Sequence, residues 1–259
     1  MQAFDRVLAA RANDRPGAGA FISSIFTDYV EMHGDRNFGD DRAMVTGVAM
    51  LRDIPVTVIA LEKGQDTKAR LATNFGSAHP EGYRKALRQM RLAQKFGRPV
   101  ITFIDTSGAY CGLGAEERGQ GEAIASNLTG LMSLATPVLA LLTGEGGSGG
   151  ALALAVADQV WMLENAVYSV ISPEGCASIL WKDPSKTQEA AQHLKLTAQD
   201  LLALGVIERI IDEQRGFDAM AAQLQDDMYV HISSMLALTP EALLENRYQR
   251  FRKIGGAQR

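Results

Sequence analysis

The chain has 259 residues, 46% of them hydrophobic and 22% charged, with a formal net charge of −4. That balance suits a single α/β core, since one core serves up to about 250 to 300 residues, and a mildly acidic chain has no global reason to bind a phosphate backbone. Two distant cysteines, Cys111 and Cys176, make neither a disulfide framework nor a paired zinc site, and a charged N-terminus with no apolar run of ~18 residues predicts a cytoplasmic protein with neither membrane nor nucleic-acid partners.

Residues 1 to 20 are polar and rich in Ala, Gly and Arg, and they read as a short arm ending near residue 25. Met44 to Leu51 and Val56 to Leu61 are apolar and β-branched, so a tight turn at Arg52-Asp53-Ile54-Pro55 joins two strands. A loop from Lys63 to His79 precedes a helix that Pro80-Glu81 opens, with Tyr83, Leu87 and Met90 at helical spacing and an end near Gly97. Pro99 to Asp105 is a compact strand, Ser107 to Gly114 a glycine-rich loop, and Ala115 to Met132 a long helix. The pattern repeats in the strand Pro137 to Thr143, the loop Gly144 to Gly150, and the helix Ala151 to Ala157, which is apolar all round and hence buried. Gln159 to Leu163 and Tyr168 to Ile171 are further strands. Ser172-Pro173-Glu174 and Thr197 to Asp200 carry helix-start signals, and Val206 to Ile211 is the last strand. Phe217, Met220, Leu224, Met228, Ile232 and Met235 mark a long amphipathic helix, and Thr239-Pro240-Glu241 starts a final one. Strand, glycine loop and helix recur, which argues for layered α/β structure with parallel crossovers.

The strongest local signal is Leu141-Leu142-Thr143-Gly144-Glu145-Gly146-Gly147-Ser148-Gly149-Gly150-Ala151, between a strand and a buried helix. Glycines there allow close backbone approach, and a helix start leaves N–H groups free to stabilise an anion or a carbonyl oxygen. Three other readings share these residues. The glycines could merely let strand and helix pack. Gly144, Gly146 and Gly149, with Glu164 downstream, match a dinucleotide fingerprint, although several strands precede it. Gly146 to Gly150 also matches G-x-S-x-G, with Ser148 as nucleophile and His193 or His231 as its base. The Ser107 to Gly114 loop ends the preceding strand, so the two loops are expected side by side in one cleft. Glu116 and Glu117 read as complements to a helix dipole, and Arg84, Arg88, Arg91 and Lys95 as a solvated helix face.

Beyond the glycines, several segments carry a resemblance in register. They are Lys63 to Lys68, Asn74-Phe75-Gly76, Pro80 to Leu87, Gly112 to Gln120, Gly144 to Leu154, Tyr168 to Lys182 and Asn246 to Arg250. With them the chain resembles the alpha subunits of bacterial acetyl-CoA carboxylase carboxyltransferases, in the crotonase-like superfamily. The resemblance implies an α/β spiral of ββα units over residues 26 to 259, with extra C-terminal helices from about residue 217. It implies an enzyme that passes the carboxyl group of carboxybiotin to acetyl-CoA, giving malonyl-CoA for fatty acid synthesis. Implied partners are a beta subunit in an α2β2 assembly, the biotin carboxyl carrier protein that bears the biotin, and biotin carboxylase. No metal is expected in this chain, the zinc belonging to the beta subunit. By resemblance, Gly149, Gly150 and Ala151 supply backbone N–H groups to the biotin oxygen. Ser107, Gly108, Ala109, Tyr110, Gly112 and Gly114, with Gly146, Gly147 and Ser148, would wall the site. Ser107 and Cys111 stand where the family carries prolines, and the N-terminal extension is shortened to about twenty-five residues. A stand-alone crotonase-type hydratase or thioesterase is the alternative within this fold.

Overall fold

A computed structural model describes residues 1 to 256. The polar N-terminal stretch is helical, forming α1 (Ala3–Ala10) and α2 (Ala18–Ile25). Each has one apolar side. Val7 and Ala10 pack with Val167, Ala191 and Leu196, while Phe21, Ile22 and Ile25 enter the main core, the Phe21 ring lying 5.6 Å from that of Phe103.

Next come β1 (Thr27–Glu31), β2 (Met44–Leu51) and β3 (Ile54–Leu61), an antiparallel meander. Strand β1 was not expected from its polar sequence; it is an exposed edge strand that pairs only with β2. The expected loop after β3 contains α3 (Thr67–Ala72), capped by the Asp66 carboxylate accepting from the Ala69 N–H at 2.7 Å. Helix α4 (Pro80–Lys95) leads to β4 (Val100–Thr106). The long helix expected over 115 to 132 is divided at Gly119, whose left-handed φ of 80° separates α5 (Leu113–Glu117) from α6 (Gln120–Met132).

Strand β5 (Val138–Gly147) runs straight through most of the stretch expected as a glycine loop, and α7 (Ser148–Ala155) follows it directly. Then come β6 (Gln159–Leu163), β7 (Val167–Ser169), α8 (Pro173–Leu180), α9 (Thr187–His193), α10 (Ala198–Ala203), β8 (Arg209–Ile211), α11 (Phe217–Leu236) and α12 (Pro240–Lys253). The final strand is shorter than the apolar run Val206 to Ile211 suggested. Helices α8, α10 and α12 open on side-chain caps from Ser172, Thr197 and Thr239, as their sequences indicated.

All eight strands form one sheet in the order β1-β2-β3-β4-β5-β6-β8, parallel from β3 onward. Strand β7 leaves this path. The first half of β5 pairs with β6 through Leu139 to Leu142, and its end pairs with β7 through Glu145 to Gly147. One strand thus bends from one neighbour to another just before the α7 turn. The central strands are buried on both faces, which is why they read as continuous apolar runs.

Helix α12 is fastened to this body by Arg247, which is fully buried. Its guanidinium donates to both oxygens of Asp158 at 2.8 Å and to the carbonyls of Leu131, Leu134 and Thr136 at 2.6 to 3.0 Å. The charge is therefore paired, and its donors are shared between the end of α6, the loop after it and the loop before β6.

Candidate functional site

The carboxyl ends of β4 and β5 bring the two glycine-rich stretches together, with Thr106 in register with Gly146. A Cβ at Gly147 would strike the Ser107 carbonyl, and one at Gly150 would lie 2.5 Å from the Ala109 nitrogen and 2.8 Å from the Gly108 carbonyl carbon. Only glycine permits this backbone contact. Gly144 and Gly146 have a different task. The Asp105 carboxylate occupies the space beside Gly144, while Leu142 and Tyr168 crowd Gly146. Both lie inside β5, and Glu164 is paired with Arg6 at 2.9 Å, so the dinucleotide fingerprint does not form a phosphate loop.

At the turn itself Ser148 has φ +53°, a left-handed conformation costing a non-glycine residue roughly 1–2 kcal/mol. This swings the chain from strand into helix. No side chain caps α7, and among the described residues no carbonyl accepts from the N–H groups of Gly149 or Gly150. Two donors at a helix start are therefore available.

Ser148 and Gly149 border a cleft of about 550 Å³, within the usual range for small-molecule sites. Its walls are mainly apolar, from Leu152, Tyr168, Val170, Leu194, Phe251 and Ile254. Burial pushes the Tyr168 phenol up to about 12, so it stays protonated near neutrality. Arg250 also reaches the cleft, but Glu208 takes its Nε at 2.6 Å and the Val206 carbonyl its Nη2 at 2.6 Å. No carboxylate or imidazole is among the lining residues.

Residues 1 to 255 match the family described as acetyl co-enzyme A carboxylase carboxyltransferase-like. A relative from Ruminiclostridium cellulolyticum, described as acetyl-coenzyme A carboxylase carboxyl transferase subunit alpha, is 59% identical over 256 residues, covering 98% of each chain. A second with the same description, from Streptococcus equi subsp. zooepidemicus, is 57% identical over 94% of this chain and 96% of its own. The chain belongs to the acetyl-CoA carboxylase carboxyltransferase alpha-subunit family. Among solved structures, transcarboxylase 12S superposes with TM-score 0.71 at 18% identity, over 86% of this chain and 42% of its own. A Pseudomonas malonate decarboxylase hetero-tetramer gives 0.69 at 17% identity, over 86% and 88%. At that identity these show the fold, which is the crotonase-like α/β architecture.

In this alpha-subunit family member, Gly149, Gly150 and Ala151 form the first turn of α7. The Ser107 to Gly114 loop touches that turn through Ser107, Gly108 and Ala109 but does not line the apolar cleft. Tyr110 turns away to stack on His79, with ring centroids 4.1 Å apart, and Gly112 caps α5. The cleft walls from β7, the end of α9 and α12 were not read as a site in the sequence, although Tyr168 and Arg250 lie in segments that carried the resemblance. Of the basic stripe, Arg84 is tied to Asp35 at 2.8 Å and Arg88 donates to the carbonyls of His33 and Gly34 at 3.1 Å, so half of it fastens a loop rather than facing solvent. Glu116 does lie in the first turn of its short helix.

Ser148 has the strained backbone of a nucleophile elbow but no base. His193 packs on Trp181 and His231 on Trp161, at centroid distances of 5.9 and 5.5 Å, and neither lines the cleft. Ser148→Ala is expected to keep kcat within about threefold, with no labelling of the wild type by a fluorophosphonate probe. Labelling at Ser148, or loss of turnover in the variant, would restore the hydrolase reading. Among the described residues there is no cluster of His, Cys, Asp or Glu able to hold a metal, and no helix long and apolar enough to cross a membrane.

Proposed function

We propose that this chain is the biotin-side half of a carboxyltransferase that, with a beta subunit, carries a carboxyl group to acetyl-CoA and forms malonyl-CoA. One observation carries the reading: the α7 turn leaves the N–H groups of Gly149 and Gly150 unaccepted, and Gly149 borders an apolar cleft lined by no carboxylate or imidazole. This suits biotin, which is apolar along its ring system and side chain and polar at its ureido oxygen. Bound there, carboxybiotin on a carrier protein supplies the carboxyl group.

The residues of this chain then act by position. Gly149 and Gly150, with Ala151 behind them, donate hydrogen bonds where negative charge grows on an oxygen, and they need no reorganisation because the strand-to-helix turn already holds them. One such donor is worth about 3 kcal/mol in the barrier, or roughly 10²–10³ in rate. The apolar walls keep water from competing for those donors. Ser107 to Ala109 back the turn and Gly147 lets them approach. The thioester side, with its own donors and zinc, is assigned to the beta subunit in an α2β2 assembly, and biotin carboxylase completes the set of partners. A hydratase working alone would need a carboxylate or imidazole at the substrate, which the cleft lining lacks.

The test is a malonyl-CoA assay with purified chains. Formation only when the beta subunit and carboxybiotin are both present supports the reading. Turnover of an acyl-CoA by this chain alone would overturn it in favour of the stand-alone enzyme.

A further inference from the structure

Beneath the α7 turn lies a buried ionic cluster whose pairing no spacing in the sequence predicts. Lys63 follows β3, Asp105 lies at the end of β4, Glu145 sits within β5, and Arg11 arrives just after α1. Glu145 is held by both oxygens, one taken by Lys63 Nζ at 2.7 Å and the other by Arg11 Nε at 2.6 Å. Lys63 also lies 3.4 Å from Asp105, and the Glu145 N–H donates to Asp105 at 2.9 Å. The side chains of Lys63, Asp105 and Glu145 are only 16%, 11% and 10% exposed. Burial raises both carboxyls. At Glu145 the neighbouring Lys63 and Arg11 outweigh it and hold the group below the usual carboxylate range, while Asp105 remains raised.

A buried charge cluster is weak as a source of net stability, because desolvation offsets most of the attraction; what it fixes well is geometry. Glu145 stands where β5 begins to pair with β7, just before the chain turns into α7. We propose that Lys63 and Arg11 are positioning residues for carboxyl transfer: gripping Glu145 from two elements, they set the angle at which β5 delivers the Gly149 and Gly150 N–H groups. The N-terminal helix thereby acts on the turn without touching substrate. This rests on the carboxyltransferase reading above.

The experiment uses the assembled complex with the beta subunit and steady-state assays of Lys63→Met, Arg11→Met, Lys63→Arg and the double variant Lys63→Met with Glu145→Gln. Displacing reacting groups by about 1 Å can cost roughly 100-fold. The expected result is kcat lowered about 10- to 100-fold in Lys63→Met and Arg11→Met, with KM for acetyl-CoA within about twofold. Lys63→Arg should recover most of the loss, and the double variant should turn over no faster than Lys63→Met, since without the Glu145 carboxylate Arg11 loses its hold on β5 as well. Wild-type kcat in both Met variants overturns the proposal, as does a loss that follows only the fraction of complex assembled. Gly150→Ala measured alongside separates the two ideas: an inactive Gly150 variant beside fully active Lys63 and Arg11 variants removes the positioning role and leaves the carboxyl-transfer reading intact.

Discussion

Gly150→Ala is expected to lower kcat by about 100-fold or more in the assembled complex, whereas Gly149→Ala should stay within severalfold of wild type. The contrast follows from what each new methyl group meets. At Gly150 it would lie 2.5 Å from the Ala109 nitrogen, 2.8 Å from the Gly108 carbonyl carbon and 2.9 Å from the Tyr83 hydroxyl. Two of these are backbone atoms and Tyr83 is fully buried, so the turn itself must move. At Gly149 the only neighbour within 4 Å is a methyl of Ile124 at 3.6 Å, an ordinary contact. Neither change removes an N–H group. If these amides are the catalytic donors, displacing them costs as much as deleting one, roughly 10²–10³ in kcat. Overpacking is expected to lower stability by about 1–3 kcal/mol as well, so kcat is to be compared at equal assembly. Normal turnover in Gly150→Ala with the complex intact would mean that these glycines only pack.

Arg247→Met is expected to destabilise the fold by about 3–5 kcal/mol. It strands the Asp158 carboxylate, which keeps only the Val138 N–H at 2.7 Å, and it removes the donor to three buried carbonyls. Thermal unfolding should show the Tm falling by roughly 6 to 20 °C. Adding Asp158→Asn should recover part of the loss, because the uncompensated charge goes with it. A Tm within about 2 °C of wild type in Arg247→Met would show that α12 is held by its apolar contacts alone.

Much of this architecture was legible because the inner strands are buried on both faces and the helices announce their starts. Ser172, Thr197 and Thr239 cap as their positions suggested, and Tyr83, Leu87 and Met90 mark the buried face of α4. Strand β1 escaped because an exposed edge strand need not alternate, and α3 because it buries no side chain. The arm looked featureless because its composition is polar, although Ala and Arg are strong helix formers and Phe21, Ile22 and Ile25 already had helical spacing. At the site, the turn and its backing loop could be read from their glycines. The cleft could not: Tyr168, Leu194 and Phe251 meet only through tertiary folding, and nothing local distinguishes them from other core residues. The same holds for Lys63, Asp105 and Glu145, whose pairing depends on three strands ending side by side.

Helix α12 has two duties described separately above: Arg247 roots it in the body, and Phe251 contributes to the wall beside the turn. The order of synthesis then matters. A nascent chain can lay down β5 and the start of α7 long before residue 251 exists, so during translation the apolar surface beside Gly149 stands uncovered. That cleft is closed over only when the C-terminal helix docks, so it is the last part of this face to be completed as the chain is made.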